Sequence, residues 1–126
     1  MSAATKFFTL EEANRTLPLV KRIVNDILNT GESLRGLYAS ASAIGTLPEE
    51  EIGRASEQLE QLFGELESVG CSYRDWNFTL GLVDFPAVLD GRAVCLCWKS
   101  DEEEVGYYHE TAAGFAGRKP IPAEQP

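Results

Sequence analysis

"GLVDFPAVLDGRAVCLCWK", residues 81–99, decides the architecture of this chain. Two runs with β-branched and aromatic residues, "LVDFPAVL" and "RAVCLCWK", flank Asp90–Gly91. That dipeptide suits a two-residue hairpin turn, whose central residues take positive φ. The stretch therefore predicts an antiparallel hairpin. Pro86 cannot donate to a ladder, so it predicts an edge position or a bulge in the first strand.

Toward the N-terminus the period changes from two to between three and four. In "FTLEEAN" Thr9 is an N-cap, Glu12 completes a capping box, and Phe8 can pack back on the first turn as a staple. Pro18 removes a helical hydrogen bond, which predicts a short leading helix and a kink or restart near Leu17. Leu17, Val20, Val24, Ile27, Gly31, Leu34, Tyr38 and Ala41 then form one helical stripe, widened by Ile23 and Leu28. "SASAIGTLPEEE" reads as a turn, with Thr46 and Glu49 as a second capping box and Pro48 in the first turn. Ile52, Ala55, Leu59, Leu62, Leu66 and Val69 carry a second stripe, and Gly70 ends it as a C-cap. Two striped helices with a short connection make an antiparallel hairpin.

On either side of the β-hairpin, "CSYRDWNFTL" and "VGYYHE" read as further strands, "SDEEE" as an acidic, solvated turn, and "GRKPIPAEQP" as an extended, fraying tail. The expected fold class is α+β: a long antiparallel helical hairpin packed on a small antiparallel β-meander of three or four strands. It is expected as a single domain over 1–126, with a helical part at about 9–70, a β part at about 71–110 and a tail at 111–126.

The 126 residues, 44% hydrophobic, suit one core. A net charge of -9 with scattered basic residues argues against nucleic acid and anionic lipid as partners. No run reaches the roughly 18 apolar residues of a membrane span, and the N-terminus lacks the pattern of a signal peptide, so the expected location is the cytoplasm. Cys71, Cys95 and Cys97 are an odd number without CxxC spacing, which predicts reduced, packed thiols rather than a disulfide framework. On a strand Cys95 and Cys97 would share a face, as core packing or as a soft-metal or redox pair.

Motifs for phosphate loops, dinucleotide binding, zinc proteases and serine hydrolases are absent from the sequence, so no cofactor and no catalytic residue is assigned. What remains are polar residues in apolar strands. Asp84 lies between Val83 and Phe85, and His109, the single histidine, is followed by Glu110. Alternation lets Asp84 and His109 meet on neighbouring strands, with a hydroxyl from Tyr107 or Tyr108 in the same pocket. The candidate ligand set is Asp84, Tyr107, His109, Glu110 and Arg118, with Asp84 and His109 as candidate ligands of a divalent metal. The alternative is a hydrogen-bonded His–Asp pair that pins a strand end.

"FTLEEANRTLPLV", "GLVDFPAVLDGRAVCLCWK", "EEEVGYYHE" and "AGFAGRKP" together resemble the bacterial family catalogued as domain of unknown function 2203. The resemblance implies no activity. It places Asp84, His109, Glu110 and Arg118 in motif segments, without a role for any of them. The family pattern often has Tyr-Trp-His where this chain has Tyr107, Tyr108 and His109, and Trp-Arg where it has Trp98 and Lys99. The second departure removes a bidentate donor.

Three function classes follow, in order of support. The first is a scaffold or interaction module whose helical hairpin docks on a protein partner or forms a homodimer, using Leu37, Tyr38, Leu47 and Phe63 as surplus apolar surface. The second is a small-ligand or metal-binding protein with its site near Asp84 and His109. The third, an enzyme with His109 as general base, lacks a nucleophile or cofactor motif to accompany it.

Overall fold

Thr9 starts the first helix as its neighbours dictate: its Oγ1 accepts from Glu12 N, and Glu12 Oε1 accepts from Thr9 N, both at 3.0 Å. The computed structural model describes residues 6–75 and 80–122. Helix α1 runs over Leu10–Ile44 and α2 over Glu49–Val69. Gly70, at φ 107, caps α2 in the left-handed region and donates to the Leu66 and Glu67 carbonyls. Five strands follow: β1 (Ser72–Tyr73), β2 (Leu82–Leu89), β3 (Arg92–Lys99), β4 (Tyr107–Glu110) and β5 (Lys119–Pro120). They form one antiparallel sheet in the order of the chain. The fold is α+β, two packed helices and an antiparallel sheet, as the change of period implies.

Asp90 and Gly91 both take positive φ, 54° and 76°, and the turn locks Leu89 opposite Arg92. Every later pair of the hairpin is then set by counting back from that turn. One face of the sheet carries Val83, Phe85, Ala87, Leu89, Val94, Leu96 and Trp98 into a core shared with Leu17, Val20, Ile23, Val24 and Ile27 of α1 and Leu59, Leu62 and Leu66 of α2. Beyond Gly31 only Ala41 of α1 is buried.

Several local expectations are corrected by packing. Pro18 lies inside an uninterrupted α1, with no restart near Leu17. It sits on the exposed side, where the carbonyl it leaves unbonded can be hydrated, while buried Leu17 and Val20 hold the helix to the core. Helix α1 continues through "SASAI", and α2 begins with Pro48 as N-cap and no side-chain cap bond, so the Thr46–Glu49 box does not form. Phe8, rather than acting as a simple staple, is buried edge-on to Phe85 at 5.2 Å and donates its N–H to the Pro86 carbonyl. That bond shows which way Pro86 faces. Strand β1 covers only Val83 and Asp84, so Pro86 lies on a free edge past its end, as a proline requires.

Among the described residues the sheet has five strands rather than three or four. In "CSYRDWNFTL" only Ser72–Tyr73 is strand, and residues 76–79 of that stretch lie outside the described residues, as do 123–126 of the expected tail. The rest of the tail is not a loose extension. Residues Phe115–Gly117 form a 3-10 turn and Lys119–Pro120 pair with β4. Among the described residues no helix is long and apolar enough to cross a membrane.

Candidate functional site

The sheet face opposite the helices carries Asp84, Cys95, Cys97, Tyr107 and His109, by alternation along β2, β3 and β4. Polar residues facing away from the main core would ordinarily be wet. Here they are not: Asp84 is 5% exposed, Cys97 1% and His109 3%. The chain from Thr111 to Phe115 folds back over them and, with Arg74 and Leu82, walls a cavity of about 330 Å³.

Two anchors hold that covering segment. Arg118 donates to Glu102 Oε1 at 2.6 Å and to the Cys97 carbonyl at 3.1 Å, and its guanidinium lies 4.1 Å above the Tyr107 ring. Thr111 Oγ1 donates to the Ala93 carbonyl. Glu102 is therefore not part of a purely solvated acidic turn: it accepts from Arg118 and from Lys99 N, while its carbonyl accepts from the buried Trp98 indole.

At the cavity floor His109 Nε2 lies 3.1 Å from Asp84 Oδ1. Asp84 and His109 meet, but not on neighbouring strands, because β3 separates β2 from β4. Arg74 Nε donates to the other carboxylate oxygen of Asp84 at 3.1 Å and so orients it. His109 Nδ1 is 2.8 Å from the Glu110 carbonyl. A carbonyl only accepts, so Nδ1 carries a proton and donates. Nε2 then faces the Asp84 oxygen, and two lone pairs at this distance repel unless a cation lies between them. That cation is either a proton bridging Nε2 and the carboxylate oxygen or a metal ion.

Cys97 adds a third group that could hold a metal ion. It lies directly opposite Asp84 in the ladder. One ligand atom from each of Asp84, Cys97 and His109 falls within 4.8 Å of the others. A tetrahedral zinc ion, with bonds of about 2.0–2.3 Å, needs its ligand atoms about 3.5 Å apart, so small side-chain adjustments suffice. Burial, with the negative Asp84 beside it, pushes the Cys97 thiol up to about 11, against the opposing effect of Arg118. Without an ion it is a protonated thiol at neutral pH, unsuited to nucleophilic attack.

Of the residues expected from the sequence, Asp84 and His109 converge. Glu110 contributes its backbone carbonyl, while its carboxylate pairs with Arg92 at 2.8 Å. Tyr107 and Arg118 form the adjacent stack that fastens the covering segment, rather than the cavity lining. Cys95, on the same face as Cys97, is not part of the three-ligand set. Arg74 was not among the expected residues; its signal was a lone cation in the aromatic stretch "CSYRDW".

Residues 6–121 match the model of a family described as an uncharacterized conserved protein, DUF2203, and the chain belongs to that family. No curated protein and no solved structure matches it.

Proposed function

We propose that this member of the DUF2203 family is a transition-metal-binding protein whose ion is held by Asp84, Cys97 and His109. The observation that carries the reading is the convergence of a carboxylate, a thiol and an imidazole, all buried, within 4.8 Å. Sulfur and nitrogen donors select zinc and its first-row neighbours over calcium or magnesium, which prefer oxygen. The outer contacts fit the same reading. Arg74 orients the carboxylate, and the Glu110 carbonyl holds the ring tautomer that leaves Nε2 free to ligate.

Cobalt(II) tests it, because cobalt bound to a thiolate absorbs in the near ultraviolet. The metal-stripped protein should take up one equivalent with that charge-transfer band. Cys97→Ala should lose the band, and His109→Ala should weaken binding by about 10-fold or more. Equal uptake by the wild type and the Cys97→Ala/His109→Ala double variant sinks the reading.

A second reading has its own observation. Tyr38, Ile44 and Leu47, 51%, 74% and 50% exposed, lie on the part of the helical hairpin beyond the shared core. We propose that this apolar end pairs with a second copy of the chain. Phe63, by contrast, is used internally, tilted against Tyr73 at 5.6 Å. Sedimentation of wild type and Tyr38→Ser/Leu47→Ser tests it: a dimer that the variant dissociates supports it, and a monomeric wild type at high micromolar concentration counts against it. We propose a cytoplasmic location and no nucleic-acid partner, a reading supported by three cysteines without CxxC spacing and a net charge of -9.

A further inference from the structure

We infer that the ion's remaining coordination position takes a small monocarboxylate, whose charge is shared between the metal and Arg74. This rests on the metal reading above and adds the class of ligand.

Three protein ligands leave a tetrahedral ion one position for an outside group. Asp84, Cys97 and His109 all line the cavity of about 330 Å³, so that group comes from the cavity. The volume lies at the small end of ligand sites.

Charge then selects the ligand. A divalent ion is neutralised by one carboxylate and one thiolate, which leaves the positive charge of Arg74 unbalanced. Asp84 is the sole acidic residue of the lining among the described residues. Arg74 uses Nε on Asp84 Oδ2, and its two terminal nitrogens have no protein acceptor among the described residues. A planar guanidinium edge beside a metal suits a carboxylate, one oxygen on each. A monoanion restores neutrality, a dianion such as phosphate overshoots it, and a cation is repelled.

The walls define the rest of the molecule. Leu82, Ala112, Ala113, Gly114 and Phe115 offer apolar surface, and the Thr111 hydroxyl proton is already given to Ala93. The carboxylate should therefore carry a short apolar body. Inorganic anions would leave those walls unfilled.

The experiment uses the cobalt-loaded full chain, with propionate, propionamide and inorganic phosphate as probes and the visible cobalt bands as readout. Cobalt stoichiometry and the thiolate band are recorded first, in wild type and in each variant. Propionate should change the visible bands saturably, phosphate should bind more weakly, and propionamide should leave them unaltered. Arg74→Ala should weaken propionate by roughly ten- to a hundredfold, the range expected for losing a charged hydrogen-bond partner. Arg74→Lys, which keeps the charge, should lie between, and it replaces Arg74→Ala if the alanine variant no longer holds cobalt.

A cobalt-loaded wild type that ignores propionate overturns this inference and leaves the metal reading standing. So does equal propionate affinity in wild type and both Arg74 variants. Phosphate binding tighter than propionate overturns the monocarboxylate assignment. Failure of the wild type to bind cobalt at all removes the metal reading and this inference with it.

Discussion

His109 Nε2 lies 3.1 Å from Asp84 Oδ1 although β3 runs between the strands that carry them. Adjacent strands are about 4.8 Å apart, so the two backbones are about 10 Å from each other and the side chains meet over the top of β3. Residues 95 and 97 beneath that contact are cysteines, small enough to leave it room. The sheet brings the acid, the thiol and the imidazole together, and residues 111–115 of the returning segment wall the cavity they line.

Asp84→Asn should cost about 1–3 kcal/mol in the metal-free protein, because a neutral amide replaces the charged partner of both His109 and Arg74 at a buried position. Urea denaturation reads the change as a lower midpoint at constant slope. Zinc should raise the melting temperature of wild type and not of the variant, since only the site that binds the ion gains by mass action.

Glu102→Gln should weaken the fastening of the covering segment in a pH-dependent way. Burial raises the Glu102 carboxyl, but the Arg118 and Lys99 contacts overcome it and hold the group below its ordinary value of 4.5. A depressed carboxyl stabilises the fold above its unfolded value, and the contribution fades as pH falls through the folded one. The gap between wild type and variant should be fully present at pH 7 and should close as pH falls from 4.5 through the lower folded value. A gap that persists in acid would mean the charge is not what Glu102 contributes.

Two glycines of the hairpin should respond differently to alanine. A Cβ at Gly81 would collide with Val24 Cγ1 of α1 and crowd Ser100 Cβ, so Gly81→Ala should force sheet and helix apart at a cost of about 1–3 kcal/mol. Gly91 has open space but φ 76, so Gly91→Ala should cost about 1–2 kcal/mol from backbone conformation alone. Crystal structures of the two variants separate the causes: a shifted α1 in the first, an altered turn in the second.

The Cys71 thiol, pushed up to about 12 by burial against the small opposing effect of Lys6, should be inert to thiol reagents at pH 8 in the folded protein. Of the three cysteines, only half-buried Cys95 should be open to modification before unfolding. In denaturant all three should react. A fast-reacting Cys71 in the native state would contradict the packing of that corner.

The sequence by itself determined the two helices, the central hairpin and one important register. Thr9 with Glu12, Gly70, and Asp90–Gly91 act within a turn of chain, so caps and hairpin can be read from neighbours alone. Because the two-residue turn sets Leu89 opposite Arg92, it also sets Asp84 opposite Cys97. That pair was legible by counting, and neither residue needs the helices to find the other. Pro18 shows the limit of local reading, since burial of the flanking apolar residues outweighs one lost hydrogen bond. Only the tertiary structure decided the rest of the site. Residues 100–106 join β3 to β4 without a turn type that sets register, so the position of His109 depends on pairing across the sheet. Arg74 reaches Asp84 through β1, and the cover over the cavity depends on Arg118 meeting Glu102, 16 residues earlier. These contacts are non-local, and their partners are chosen by which surfaces the core leaves facing each other.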